Sequence, residues 1–157
     1  MEQIPTLDKL AENITNSLKN GIQLKELQNT ILSYNGSDWR NYVTIDKTKA
    51  YSRVCTCTNE HIEIIIITWN NNNYSKIHDH PENGCILRIM SGSLMEDVYA
   101  MENDNLKLID TIQLKLNQVS YKIGNKYLHR ICNMNGSESV SLHVYSPPNY
   151  KIKYYDQ

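Results

Sequence analysis

From Tyr51 onward this 157-residue chain is cut into short runs rich in Ile, Val, Leu, Thr and Tyr, at positions 51–58, 62–69, 85–90, 94–99, 106–112, 118–123, 128–132 and 139–145. Asn, Gly, Asp and Ser punctuate them. Short strands at this spacing imply a mainly β chain folded as a sandwich or small barrel, because closure removes the sheet edges that so many strands would otherwise expose. Residues 152–155 can supply one last strand. The longest apolar run, Ile62–Trp69, is far too short to span a bilayer.

Ahead of the strands the period changes. Leu7, Leu10, Ala11, Ile14 and Leu18 follow helical spacing, with Thr6 as N-cap and Asn20-Gly21 as the stop. A second helix is expected from Leu24 through Leu27 and Ile31 to Leu32, ended by Asn35-Gly36. Both helices are expected to pack as a cap over residues 1–40, with the β-barrel over 41–157, in a single domain of 1–157.

A formal net charge of -1 gives no basic surface for nucleic acid or an anionic membrane. The N-terminal Met-Glu-Gln-Ile-Pro has neither the basic start nor the apolar stretch of a signal peptide, so a cytoplasmic protein is expected, and a monomer. Cys55 and Cys57 alternate on one strand and are poorly placed to bond each other, so in a reducing compartment Cys55, Cys57 and Cys132 read as buried thiols.

Chemistry concentrates in His78-Asp79-His80, with Cys85 five residues on, then Gly92, His129 near the far end, and Ser141-Leu142-His143-Val144-Tyr145 beyond it. Imidazoles two apart on a strand share a face and can grip one metal ion, which a later segment completes. Three neutral imidazoles suit Fe(II), Zn, Cu or Ni, so ligand type alone leaves the metal open. Ser141, His143 and Tyr145 share one strand face, which suits a relay from hydroxyl to imidazole to phenol.

The spacing of His78-x-His80, Cys85, Gly92 and His129 resembles the two signature motifs of the cupin superfamily, a jelly-roll-like small β-barrel. Cys85 stands where a glutamate ligand would be. More specifically, Tyr51-Ser52-Arg53, Trp69, Ile77-His78-Asp79-His80, Cys85, Leu128-His129-Arg130 and Ser141 through Pro148 are similar to the cysteine dioxygenase family of thiol dioxygenases. That resemblance implies Fe(II) held by His78, His80 and His129, and oxidation of L-cysteine by O₂ to cysteine sulfinate, a step in cysteine catabolism and taurine biosynthesis. It implies substrate binding by Arg53, whose planar fork can take a carboxylate in two parallel hydrogen bonds, with Tyr51 and Trp69 beside it.

It also implies catalytic roles for Tyr145, Cys85, His143 and Ser141, and a thioether joining Cys85 to the Tyr145 ring. Cys85 in place of a carboxylate keeps the site's charge higher and favours an anionic thiolate. The Ser146-Pro147-Pro148 run is a place for a cis bond. The chain ends before the additional C-terminal strands of animal members, from which a mouth either more open or closed by a neighbouring chain is expected. Alternatives are a dioxygenase of another small carboxylate thiol such as 3-mercaptopropionate, or a non-catalytic cupin that binds metal or ligand. Cysteamine and protein N-terminal cysteines fit less well, since neither offers Arg53 a free carboxylate.

Overall fold

The computed structural model describes residues 2–156; Met1 and Gln157, the ends of the expected domain span, lie outside the described residues. Helix α1 (Leu7–Lys19) begins as its sequence dictates: the Thr6 hydroxyl accepts the Lys9 N–H at 3.1 Å, and Asp38 Oδ2 accepts the Leu7 N–H at 2.9 Å. Two of the four donors orphaned at a helix start are thereby satisfied. The second expected helix is divided. Leu24–Leu27 form a tight 3₁₀ turn, Gln28–Leu32 form α2, and a further 3₁₀ turn covers Asp38–Tyr42. Leu27, at φ −99° and ψ 14°, departs from α-helical geometry and splits the run into a 3₁₀ turn and a short α-helix. The expected boundary at residue 40 falls inside the last turn, and Tyr42 and Val43 beyond it still pack on the cap's core.

The strands are β1 (Tyr51–Thr58), β2 (Glu63–Trp69), β3 (Asn73–Tyr74), β4 (Ile77–His78), β5 (Gly84–Ser91), β6 (Leu94–Glu102), β7 (Asn105–Leu114), β8 (Val119–Lys122), β9 (Leu128–Asn133), β10 (Ser139–Ser146) and β11 (Tyr154–Tyr155). One sheet runs β1-β2-β10-β5-β8 and the other β11-β4-β9-β6-β7, with β3 on β9. Gly92, at φ +75° in the β5–β6 turn, must stay small: a Cβ there would lie 2.4 Å from Ser139 Oγ.

Strand alternation then assigns the faces of the first sheet. Ile64 and Ile66 of β2, Ile86 and Met90 of β5, and Val140, Leu142 and Val144 of β10 meet Leu10, Ile14, Leu27 and Ile31 of the cap. Ile65, Ile67 and Trp69, Cys85, Leu87 and Ile89, and Tyr145 face the opposite way, into the barrel. These strands are therefore buried on both sides, which is why the Ile62–Trp69 run carries so little polarity. Truncating one of the cap-facing isoleucines to Ala should cost about 2–5 kcal/mol.

The cap is also tied down by polar bonds. Arg88 on β5, buried, donates to the carbonyls of Ile31 at 2.8 Å and Tyr34 at 2.7 Å and to Asn117 Oδ1 at 3.0 Å. It gives the Ile31 carbonyl, which already accepts the Tyr34 N–H at 3.2 Å, a second donor and pairs the Tyr34 carbonyl just beyond α2.

The cysteine reading holds in part. All four are free thiols and Cys132 is buried, but Cys55 is exposed and Cys57 only half-buried. A bulge between them changes the register against β2, so simple alternation fails: Cys57 turns under the cap, its thiol 3.3 Å from Asp8 Oδ1, while Cys55 faces out.

Candidate metal centre and substrate pocket

Three elements bring the histidines together. His78 closes β4 and lies directly opposite His129 on β9, while His80 follows in the loop after β4, where its N–H bonds the Gly124 carbonyl at 3.0 Å. The expectation that both early histidines lie on a strand is met by His78 alone; the loop supplies the second. Their ligating atoms all lie within 4.8 Å of one another.

Each ring is oriented from behind. His78 Nδ1 donates to the Lys76 carbonyl at 2.7 Å, His80 Nδ1 to the Gly124 carbonyl at 3.3 Å, and His129 Nδ1 to Glu96 Oε2 at 2.7 Å. Because the acceptors carry no proton, each neutral ring keeps its hydrogen on Nδ1 and presents an Nε2 lone pair.

The consequence is a site with three acceptors and no donor. His80 Nε2 is buried and has no hydrogen-bond partner, and the Nε2 atoms of His78 and His129 stand 3.0 Å apart, lone pair against lone pair. A cation between them resolves both conflicts, so the residues present fit a divalent transition metal. Burial, reinforced by the neighbouring His129, pushes His78 down to about 3, and burial likewise lowers His80. Both rings stay neutral, as metal ligands must.

The facing wall comes from the other sheet. Trp69 on β2 donates its indole N–H to Ser141 Oγ at 2.9 Å, and Ser141 Oγ lies 2.7 Å from His143 Nε2. Indole can only donate, so the serine accepts from it and turns its own proton to His143 Nε2, leaving the imidazole hydrogen on Nδ1. That hydrogen points at Tyr145 O, 3.3 Å away, and at Cys85 Sγ, 4.0 Å away. The relay expected from the spacing is thus continuous, and Trp69 feeds it.

Cys85 and Tyr145 face each other across β5 and β10 in register and hydrogen-bond to each other. Burial, strengthened by the adjacent Cys85, raises the Tyr145 phenol well above its ordinary value, and burial raises the Cys85 thiol. His143 is lowered by burial and by Arg53. In the resting site all three are uncharged.

A cavity of about 30 Å³ lies between the walls, lined by Tyr51, Arg53, His78, His129, His143 and Tyr145 among others. Arg53 on β1 is exposed at its mouth, its guanidinium carbon 5.8 Å from the centre of the Tyr145 ring. Tyr51 stacks on Trp69 with ring centres 4.7 Å apart. Ile152 and Tyr154 also line the cavity. Every residue predicted for the site is brought to this one end of the barrel. The Ser146-Pro147 bond is cis, as the sequence allowed.

The family model described as "Cysteine dioxygenase type I" matches residues 4–157. The chain belongs to that family. Among its curated relatives, "Cysteine dioxygenase type 1" of Danio rerio is 31% identical over 143 residues, 87% of this chain and 71% of the relative. The Homo sapiens protein of that name is 29% identical over the same span.

Solved structures confirm the architecture of this family member. An uncharacterised protein from Klebsiella pneumoniae with a double-stranded β-helix domain superposes with TM-score 0.56 at 16% identity, covering 76% of this chain and 95% of that one. A Thermus thermophilus protein gives TM-score 0.56 at 14% identity over 71% and 95% of the two chains. The small β-barrel expected from the motifs is the observed fold, shared with a double-stranded β-helix protein.

Sequence reasoning missed the group behind His129. Glu96 on β6 is fully buried, and besides the imidazole it accepts Ser120 Oγ–H at 2.9 Å and the Lys122 ammonium at 3.3 Å. Burial alone would raise its carboxyl, but the hydrogen bond from the His129 ring, the Lys122 ammonium and the Ser120 hydroxyl hold it below the ordinary carboxylate range. A signal was available: Glu96 alternates with Leu94 and Val98, so a carboxylate interrupts an inward-facing apolar row. Its presence also amends the charge account of Cys85. Glu96 does bring a negative charge near the metal position, and Lys122, paired with Cys85 across β5 and β8, offsets it.

Proposed function

We propose that this chain is an iron(II)-dependent thiol dioxygenase that converts L-cysteine and O₂ to L-cysteine sulfinate. The observation that carries the reading is the pairing of two opposed walls around one cavity. Three proton-free Nε2 atoms stand on one side, and a guanidinium with a tyrosine relay on the other. Membership in the cysteine dioxygenase family supports it. His78, His80 and His129 would hold iron, and iron when bound supplies open positions for thiolate, amine and O₂ and the redox chemistry that joins them.

The protein's own residues do the rest. Arg53 holds the substrate carboxylate in a bidentate bond and so fixes where sulfur sits, converting a collision into an oriented encounter. Tyr51, on the same strand face two residues away, closes on that carboxylate. Trp69 lines the cavity and, through Ser141 and His143, directs a donor at Tyr145 O. The Tyr145 hydroxyl keeps its proton and can donate it to oxygen or sulfur in the pocket, and the burial of the relay limits water's access to the oxidant. One thiol and one O₂ give one sulfinic acid, both oxygen atoms ending on sulfur.

Arg53 favours a carboxylate-bearing thiol over cysteamine. We further infer that the thioether between Cys85 and Tyr145 forms, that the protein acts as a monomer, and that it works in the cytoplasm; among the described residues no helix is long and apolar enough to cross a membrane. Anaerobic reconstitution with Fe(II), followed by cysteine and ¹⁸O₂, tests the central reading. Sulfinate carrying two labels is expected. Metal uptake with no oxygen consumption would make the chain a non-catalytic metal-binding cupin.

A further inference from the structure

The mouth of the pocket is bordered by a strap that follows the last long strand. After the cis Ser146-Pro147 bond the chain returns across the barrel end and pairs β11 with β4, placing Tyr154 opposite His78 and Tyr155 opposite Ile77. Asp79, the residue between two metal-site histidines, holds it. Its Oδ1 accepts the Lys153 N–H at 2.9 Å, its Oδ2 the Tyr150 hydroxyl at 2.9 Å, and its own N–H donates to the Lys153 carbonyl at 3.1 Å. Asp79 is buried, so these bonds are shielded from competing water. Tyr155 adds an apolar anchor against Ile77, Tyr99 and Leu128.

Directly paired residues on neighbouring strands share a face, so Tyr154 points with His78 toward the pocket, and their ring centres are 6.4 Å apart. Lys76 flanks the other side of the phenol ring, its ammonium 5.6 Å from the ring centre. Tyr154 is nonetheless half-exposed, at 52%. The cavity it borders is small, about 30 Å³, room for roughly two waters between the walls. Tyr154 lines that cavity together with His78 and Arg53, so its ring bounds the space a thiol would enter between them.

We propose that Tyr154 is the specificity-determining residue of this pocket: its ring, carried to the metal position by the Asp79-bound strap, limits the length of the carboxylate thiol that can bind between His78 and Arg53. The inference rests on the thiol-binding reading above but not on turnover. One methylene is commonly discriminated by 10–200-fold in a fitted pocket, and Tyr154 is the wall that an added methylene would meet.

The test compares L-cysteine with L-homocysteine, one methylene longer, on full-length protein loaded with Co(II). Thiolate binding is followed anaerobically by sulfur-to-cobalt charge-transfer absorption, and kcat/KM is measured on iron-loaded protein. Wild type should prefer cysteine by both measures, and Tyr154→Ala should lower that preference at least tenfold with metal content unchanged. Tyr154→Phe, which keeps the ring, should retain it. Tyr154→Leu should fall between and serves where the alanine variant fails to fold. A preference within twofold of wild type in the leucine or alanine variant overturns the proposal. Binding selectivity that responds to Tyr154 in a protein that turns over neither thiol would sink the dioxygenase reading and leave this one standing.

Discussion

The two walls of the pocket are built by opposite means. On the metal wall two of the three imidazoles are oriented by groups distant in the chain, Gly124 O for His80 and Glu96 for His129, while His78 is held by the nearby Lys76 carbonyl. On the relay wall Ser141, His143 and Tyr145 orient one another along a single strand, at i, i+2 and i+4. The first arrangement fixes three lone pairs on a point that only a cation can satisfy. The second passes a hydrogen-bond direction from Trp69 to Tyr145 without any charge. Under the proposed function one wall would hold a metal and the other protons and a carboxylate, so the two should fail separately.

The largest break is on the metal wall. His129→Ala removes one of three ligands, and metal analysis should find the protein iron-poor, with activity down by more than about 100-fold, since metal affinity depends on the complete ligand set. Full iron with normal turnover would show that the triad is misassigned. On the opposite wall Arg53→Ala should keep its iron and lose about 2–4 kcal/mol of transition-state stabilisation for cysteine, a drop in kcat/KM of roughly 30- to 1,000-fold. Cysteamine, which has no carboxylate, should be nearly indifferent to that change. Equal losses on both thiols would remove Arg53 from carboxylate binding.

The same contrast explains what could be read from the sequence. The relay is local, so strand alternation alone places its three members on one face. The His78-x-His80 pair and His129 stand out by residue type and by their family spacing. Glu96 does not, because its meeting with His129 depends on the register in which Val98 pairs with His129 across β6 and β9. Asp79 sat in the most conspicuous motif of the chain, yet its partners Tyr150 and Lys153 lie more than 70 residues away. Arg88 likewise reads as a polar break in an apolar strand until its bonds to Ile31 and Tyr34 are seen. The bulge that separates Cys55 from Cys57 leaves no mark in the residue pattern.

Glu96 offers an intermediate test, since it belongs to the metal wall but touches no metal. Glu96→Gln preserves shape and can still accept from His129, but it carries no charge against the imidazole and leaves half-buried Lys122 without its anion. Metal affinity should fall about 10–100-fold by competition with a chelator, the usual cost of losing a partner behind a ligand, while a fully loaded sample keeps a measurable share of its activity. Unchanged affinity would reduce Glu96 to a packing role.

The smallest effect is expected where the relay wall has its one oxidisable group. Cys85 and Tyr145 are paired in register, and the thiol lies 4.0 Å from the same His143 nitrogen that serves the phenol. Burial raises both groups, so neither ionises at rest, and joining them needs the oxidant that turnover supplies: S–H and ring C–H are exchanged for one S–C bond, the two hydrogens passing to O₂. After prolonged aerobic turnover, peptide mass spectrometry should find a species linking the two peptides and lighter than their sum by two hydrogens. Cys85→Gly should bind normal iron and lose only about three- to tenfold in kcat, because sulfur there holds the ring in place and the histidines hold the metal. Only unlinked Cys85 peptide after turnover would end the thioether claim and spare the rest. Loss of iron in Cys85→Gly would do the reverse, moving Cys85 from the relay wall to the metal wall and erasing the division between them.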